Sequence, residues 1–204
     1  MNTLIISAEL DANIAHAAEV LRKGGLVAFP TDTVYGLGAV YLDEKAVLGI
    51  YAAKARPPAK AIPILMASTA QMDLVSLEPS RQARILAERF WPGPLTIVVP
   101  KHPRVPRAVA PETVGLRVPD NRVARSLMHS TGPLAATSAN RSGMDSLNSA
   151  QEVLGQLDGR IDLILDGGPT VGGIPSTVVD CTGDQLVIVR PGPIALEELQ
   201  AALR

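Results

Sequence analysis

Between Asp11 and Lys23 the apolar residues Ile14, Ala17, Ala18 and Leu21 recur at helical spacing, and Gly24-Gly25 supplies the left-handed backbone on which helices end. A short apolar run, Leu26 to Phe29, then predicts a buried strand. The alternation repeats along the chain. Asp43 is placed to cap a helix carrying Ala46, Val47 and Ile50, and Ser80 one carrying Ala83, Leu86 and Phe90. Leu95 to Val99 predicts the next strand, Asn121 caps a helix with Val123 and Leu127, and Leu134 to Thr137 is strand again. Ser149 with Glu152 forms a capping-box pattern ahead of Val153 and Leu157. Strands Ile161 to Leu165, Thr177 to Asp180 and Leu186 to Val189 follow, with a final helix from Ala195. Helices alternating with strands predict an α/β fold, a mixed sheet flanked by helices, and no repeat or linker divides residues 1–204 into more than one domain.

Composition narrows this picture. Apolar residues make up 47% of the 204 positions but aromatics only 3%, so the core is expected to be built from Val, Leu, Ile and Ala. With 19 basic and 20 acidic side chains the net charge is −1, so any anion site has to be local. The single cysteine, Cys181, excludes an internal disulfide, and His16, His102 and His129 lack ligand spacing, so no metal site is expected. The N-terminus lacks the basic start and apolar stretch of a signal peptide, and no run reaches about 18 apolar residues. A cytoplasmic protein without membrane contact is the expectation.

Chemistry is concentrated where Gly, Pro, hydroxyl and basic residues interrupt the pattern after strands, the usual place for ligand loops in α/β sheets. The segment PTDTVYGLG, Pro30 to Gly38, offers hydroxyls at Thr31 and Thr33 before a glycine-bearing turn; it can grip a small polar ligand or simply turn the chain. KARPPAKAIPIL, Lys54 to Leu65, directly after a helix, carries Lys54, Arg56 and Lys60 on a backbone that Pro57, Pro58 and Pro63 should hold extended. These cations are expected to be accessible, suited to phosphates or a carboxylate, or else to form a solvated basic loop. In TVGLRVPDN, Thr113 to Asn121, Arg117 stands in an apolar strand, where a charge must be paired internally or meet a ligand. ATSANRSG, Ala136 to Gly143, groups Thr137, Ser138, Asn140 and Ser142, short donors and acceptors for a polar ligand or a turn. Ser176 precedes the strand of IPSTVVD, and Arg190 ends a strand before Pro191 and Pro193. No phosphate-loop or dinucleotide fingerprint occurs, since GGPTVGG has the wrong spacing. No nucleophilic triad, carboxylate pair or metal cluster is visible either. Lysines, arginines and hydroxyls remain, which suits catalysis by positioning and charge stabilisation, as in nucleotidyl transfer.

Taken together, PTDTVYGLG, KARPPAKAIPIL, WPGPLTIVV, GLRVPDN, TSANRSG, PSTVVD and the closing RPG occur in the order and spacing of the threonylcarbamoyl-AMP synthase, YrdC-like, family, which the chain resembles nearly end to end. The resemblance implies a YrdC/RibB-like twisted mixed sheet around a large basic concave cavity. It implies L-threonylcarbamoyladenylate synthesis from ATP, L-threonine and bicarbonate with release of pyrophosphate, ATP being accompanied by Mg2+. The product would pass to the t6A transferase machinery acting on tRNA. Carried over by motif, Thr31, Arg117, Thr137 and Ser176 would take L-threonine. Lys54 and Arg56 would be catalytic at the junction of amino acid, bicarbonate and phosphates, and with Thr113, Ser138, Asn140 and Arg190 they would hold the nucleotide.

Departures from the family pattern fall at Ala61-Ile62, where many relatives have Pro-Leu, at Leu65, where some have a histidine near threonine, and in MDSLNS, which lacks a common proline. Ending at Arg204, the chain resembles the short form without an additional C-terminal domain. Two alternatives share part of the pattern: a carbamoyl-adenylate-forming module like that of hydrogenase maturation proteins, and a double-stranded RNA or tRNA binding module. The near-neutral charge makes RNA a secondary ligand at most.

Overall fold

Helix starts fall where the capping residues stand. In the computed structural model, which describes residues 2–204, Asp43 accepts the Ala46 amide at 3.0 Å and opens α2 (Glu44–Lys54). Ser80 does so for Ala83 at α4 (Arg81–Phe90), and Asn121 for Ala124 at α5 (Arg122–Thr131). Ser149 and Glu152 form the expected capping box at α6 (Ala150–Leu157). The first helix, α1 (Asp11–Arg22), starts without a side-chain cap and is anchored by its buried face, Ile14, Ala17, Ala18 and Leu21. Its exit needs a positive φ, which Gly24 provides at 84°. A 3-10 turn (Thr69–Gln71), a short α3 (Met72–Val75) and a terminal α7 (Leu196–Ala202) complete the helices among the described residues.

Ten strands form one sheet: β1 (Leu4–Ser7), β2 (Val27–Phe29), β3 (Gly36–Val40), β4 (Ile64–Leu65), β5 (Leu95–Pro100), β6 (Thr113–Arg117), β7 (Leu134–Ser138), β8 (Leu163–Asp166), β9 (Thr177–Asp180) and β10 (Val187–Arg190). Their spatial order is β1-β8-β2-β3-β7-β4-β6-β5-β9-β10. Pairs β1/β8, β2/β8, β4/β6 and β5/β9 are parallel and the others antiparallel, so the sheet is mixed as expected. Three strands are additional to those expected. β1 is an N-terminal edge, β4 has two residues, and β3 occupies the segment expected to be a glycine-bearing turn. There Gly38 serves packing: a Cβ would stand 2.9 Å from Phe29 Cε1 on the neighbouring strand.

Period-two alternation sends side chains to opposite faces, and the two cores follow it. Val27, Phe29, Leu134, Ala136, Leu163 and Leu165 join the faces of α1 and α5 in one core. Their neighbours Ala28, Ala135 and Ile164 belong to the other, larger core, with residues of α2, α4, α6 and α7. Each fully buried Leu, Ile or Phe contributes about 1.5–3 kcal/mol relative to exposure. The larger core runs along the whole sheet, through Leu95, Ile97, Val114, Leu116 and Val179. The opposite core stops near β4, at Leu65. Over β6, β5 and β9 that face has no helix, and Thr96, Gly115, Arg117 and Val178 stand there between the core residues of their strands. This bare half-sheet is the floor of the site. Among the described residues no helix is long and apolar enough to cross a membrane.

Candidate active site

A cavity of about 650 Å³ opens over the bare half of the sheet. Thr96, Arg117 and Val178 come from its strands, Thr31 and Thr33 to Gly36 from the segment between β2 and β3 and the start of β3, Arg56, Lys60, Ala61 and Pro63 from the chain after α2, and Pro175, Ser176 and Arg190 from the β9 and β10 ends. Arg56, Lys60, Arg117 and Arg190 are its cations, and no described residue lining it is acidic.

Arg117 is almost fully buried on β6, only 5% exposed. Its Nε donates to Gly93 O at 2.9 Å, Nη1 to Thr33 Oγ1 at 3.0 Å, and Nη2 to Asp32 Oδ1 at 2.5 Å. The internal pairing expected of a charge in an apolar strand is made here. Asp32 compensates the buried cation, while of the five N–H groups of the guanidinium two remain for the cavity. Burial pulls the Arg117 pKa down, Asp32 raises it, and the nearby Arg190 charge lowers it further.

The hydroxyl of Thr31 is already spent. It donates to Val34 O at 2.7 Å and accepts from the amides of Thr33 and Val34 at 3.1 and 3.3 Å, while Thr33 Oγ1 lies 3.0 Å away. Thr31 therefore lines the cavity and shapes its wall. Because Thr31 gives its proton to Val34, it is Thr33 that donates to Thr31 and receives from Arg117.

At the far wall Arg190 lays Nε and Nη2 on Ser176 O at 3.1 and 2.7 Å, and Nη2 also reaches Ser176 Oγ at 3.1 Å. Ser176 Oγ in turn lies 2.8 Å from Thr96 Oγ1. Burial lowers the Arg190 pKa.

The segment from Lys54 differs from expectation. Lys54 is the last residue of α2, and at 1% exposure its side chain lies inside the protein. Its ammonium donates to the backbone carbonyls of Ser138 and Asn140, with Asn140 Oδ1 at 3.5 Å, and its own carbonyl accepts the Ser142 amide at 2.9 Å. Three surrounding oxygens call for three protons, the geometry of the charged form. Desolvation and the Arg56 charge act against that charge and bring the pKa to about 7. The backbone beyond Lys54 is not extended: Lys60 N closes a turn on Pro57 O at 3.1 Å. Within this loop Arg56 donates from Nε to Lys60 O and from Nη2 to Ala61 O, at 3.1 and 2.8 Å, and remains at the cavity wall.

The structure therefore brings together Thr31, Arg56, Arg117, Thr137, Ser138, Ser176 and Arg190 of the residues singled out in the sequence. Three others do not line the cavity. Lys54 is held behind the Ser138 loop. Asn140 is buried and turns its Nδ2 to Arg141 O and Met144 O at 2.9 and 2.6 Å. Thr113, exposed and opposite Pro100, begins β6 four residues before Arg117, about 13 Å away along a strand. Thr33, Tyr35, Lys60 and Thr96 line the cavity as well. Tyr35 donates to Gly168 O at 2.7 Å, tying the glycine-rich 167–173 segment to the site. Thr96 had a signal in the sequence, a lone hydroxyl inside the apolar run LTIVV, like the lone charge that singled out Arg117.

Known proteins are similar to this chain in sequence and fold. The Sua5/YciO/YrdC family model, described as telomere recombination, matches residues 19–192. The threonylcarbamoyl-AMP synthase of Pyrococcus abyssi (strain GE5 / Orsay) is 46% identical over 190 residues, covering 92% of this chain and 56% of that protein. That of Bacillus subtilis (strain 168) is 44% identical over 197 residues, covering 95% and 57%. The chain thus spans little more than half the length of these relatives. The structure of P. abyssi Sua5 complexed with L-threonine superposes with a TM-score of 0.94 at 42% identity, across 100% of this chain and 61% of that one. Every segment lining the cavity falls within residues 19–192, and this chain belongs to the Sua5/YciO/YrdC family.

Proposed function

We propose that this chain forms threonylcarbamoyl-AMP and pyrophosphate from ATP, L-threonine and bicarbonate, in the cytoplasm, and that the product passes to the machinery that installs t6A in tRNA. The observation that carries this reading is the composition of the cavity: four cations and several short hydroxyls converge on about 650 Å³, with no acidic side chain among the described lining residues. That volume suits a nucleotide beside an amino acid. Two relatives named threonylcarbamoyl-AMP synthase and a superposable Sua5 with L-threonine add support.

In this reading the buried floor takes the amino acid. The free N–H groups of Arg117 meet its carboxylate, with Thr137 and Ser176 beside it and the Thr31 turn as wall. Arg56 and Arg190, with Ser138 and the additional Lys60, face the nucleotide phosphates. Lys54 and Asn140 act from behind by shaping the Ser138 loop, and Thr113 stands at the far start of β6, outside the cavity lining. The threonine amine attacks the bicarbonate carbon, forming the carbamate as hydroxide leaves with a proton as water. A carbamate oxygen then attacks the α-phosphorus, and the bond to pyrophosphate breaks. Negative charge accumulates at the α-phosphoryl oxygens and the leaving group, where preorganised guanidinium groups are most effective. With no carboxylate among the described lining residues, Mg2+ would be brought by ATP as its counter-ion rather than held by the protein.

The test is pyrophosphate release with each amino acid in turn, with and without bicarbonate. Release that requires L-threonine and bicarbonate is expected. Release independent of any amino acid, or salt-dependent RNA binding without ATP turnover, would overturn the reading.

A further inference from the structure

Thr96 is the hydroxyl that the sequence motifs leave out. It is 3% exposed, lines the cavity, and sits on β5 between the core residues Leu95 and Ile97. Its methyl lies where Gly115 on β6 leaves room, since a Cβ there would stand 2.9 Å from Thr96 Cγ2. With the methyl lodged in that gap, Oγ1 is turned to Ser176 Oγ, 2.8 Å away. Stiffness at a β-branched χ1 makes this orientation persistent.

The protons in this corner can be counted. Arg190 only donates, and it gives an N–H to Ser176 Oγ. Thr96 and Ser176 own one hydroxyl proton each, and the bond between them uses one of the two. Among the described residues neither hydroxyl has another acceptor. If Thr96 donates to Ser176, the Ser176 proton is left over. If Ser176 donates to Thr96, the Thr96 proton is. In both arrangements one hydroxyl proton is left without a protein acceptor, in a corner that lines the cavity. A buried donor without an acceptor is costly, so the corner selects a ligand oxygen that accepts.

We propose that Thr96 is a specificity-determining residue, which together with Ser176 and Arg190 leaves this corner one hydroxyl proton to donate to the carboxylate of the amino-acid substrate. The assignment rests on the function proposed above. Arg117 and Arg190 flank the corner, and two cations with a hydroxyl donor favour an anionic oxygen over a neutral one. Thr96 acts by engaging Ser176 in a hydroxyl pair, which strengthens the bond that the remaining proton makes, since hydroxyls in a chain polarise one another.

The experiment compares wild type, Thr96→Val and Thr96→Ser by calorimetric titration with L-threonine, L-threoninol and ATP, and by pyrophosphate release. L-Threoninol replaces the carboxylate with a neutral alcohol. Thr96→Val should raise Kd and KM for L-threonine about fivefold or more, the order expected for one lost hydrogen bond to a charged group. Its preference for L-threonine over L-threoninol should shrink by a similar factor, with kcat and the Kd for ATP within about twofold of wild type. Thr96→Ser, which keeps the hydroxyl, should restore most of the preference. Gly115→Ala, which pushes on the Thr96 methyl without removing a polar group, should weaken L-threonine binding in the same direction. An unchanged preference in Thr96→Val, or an equal loss of ATP and L-threonine affinity, would overturn the inference and leave the proposed function standing. Wild type that binds no L-threonine would overturn both.

Discussion

The ammonium of Lys54 and the backbone carbonyl of Asn140 are joined across 86 residues of sequence, in the protein interior. Ser138 accepts from the same nitrogen, so the C-terminus of α2 and the turn after β7 are one unit. Replacing Lys54 with methionine should therefore act first on folding. Leaving those carbonyls unpaired is expected to lower stability by about 2 kcal/mol or more. Chemical denaturation gives the loss, and hydrogen exchange should show faster amides at Ala139 to Ser142. Wild-type stability with lost turnover would instead point to an ammonium that leaves its carbonyls to meet substrate.

The same residue makes stability depend on pH. Its pKa in the folded protein, about 7, is below the ordinary lysine value of 10.5. Between those values the unfolded chain keeps a proton that the folded chain has released, so unfolding takes up a proton and rising pH opposes it. The stability of wild type relative to Lys54→Met should climb between about pH 7 and pH 10.5, and be level below that window. Urea titrations across this range measure the difference; a line flat throughout would exclude the depressed pKa.

Asp32 faces the buried Arg117 with a side chain 15% exposed. Asp32→Asn keeps the shape but removes the charge that compensates Arg117, and should cost about 3 kcal/mol by breaking a largely buried pair. Thermal unfolding should show a clear drop in Tm. Added L-threonine should recover part of it, because a bound carboxylate replaces the missing charge. Equal shifts with L-threonine in wild type and variant would contradict this.

Arg190 grips Ser176 O with two nitrogens of its fork. Arg190→Ala should lower pyrophosphate release by about 10²-fold, the order associated with losing one charge-stabilising donor. Arg190→Lys should recover little, because a point charge cannot reproduce the fork. Recovery to near wild-type rates in the lysine variant would show that charge alone suffices.

Gly192 is the position least able to carry a side chain. A Cβ there would meet the Thr177 nitrogen at 2.3 Å and the Ser176 carbonyl carbon at 2.6 Å, both backbone atoms that cannot swing away. Gly192→Ala should destabilise by about 2 kcal/mol or more and displace Ser176 together with its bond to Thr96. Denaturation combined with L-threonine titration checks both effects.

What the sequence made legible was local. Caps at Asp43, Ser80, Asn121 and Ser149, the apolar face of α1 and most strands follow from patterns a few residues long, and they stand where expected, with strand ends shifted by one or two residues. Gly36 to Val40 was harder, because glycine in a strand has the same local signature as glycine in a turn; only the Phe29 ring against Gly38 distinguishes them. The motifs located the cavity wall by wall but could not sort its lining from its support. Lys54 and Arg56 look equivalent on the page, two residues apart, yet only the first lies against the β7 turn. Thr113 and Arg117 share a strand, and nothing local says where along it the cavity stops. Thr96 escaped notice because threonine is ordinary in strands. Its role depends on a glycine and a serine that meet it only in the folded sheet.

The cavity also has a gradient of burial from floor to mouth. Thr96, Arg117 and Ser176 are each no more than 5% exposed, whereas Lys60 at the entrance is exposed. Under the function proposed above, a ligand seated on the floor has to pass the mouth before anything larger occupies it, so the small amino acid should enter first and the nucleotide should then close the way in. Departure should reverse that order, with pyrophosphate leaving from the mouth ahead of the adenylate on the floor.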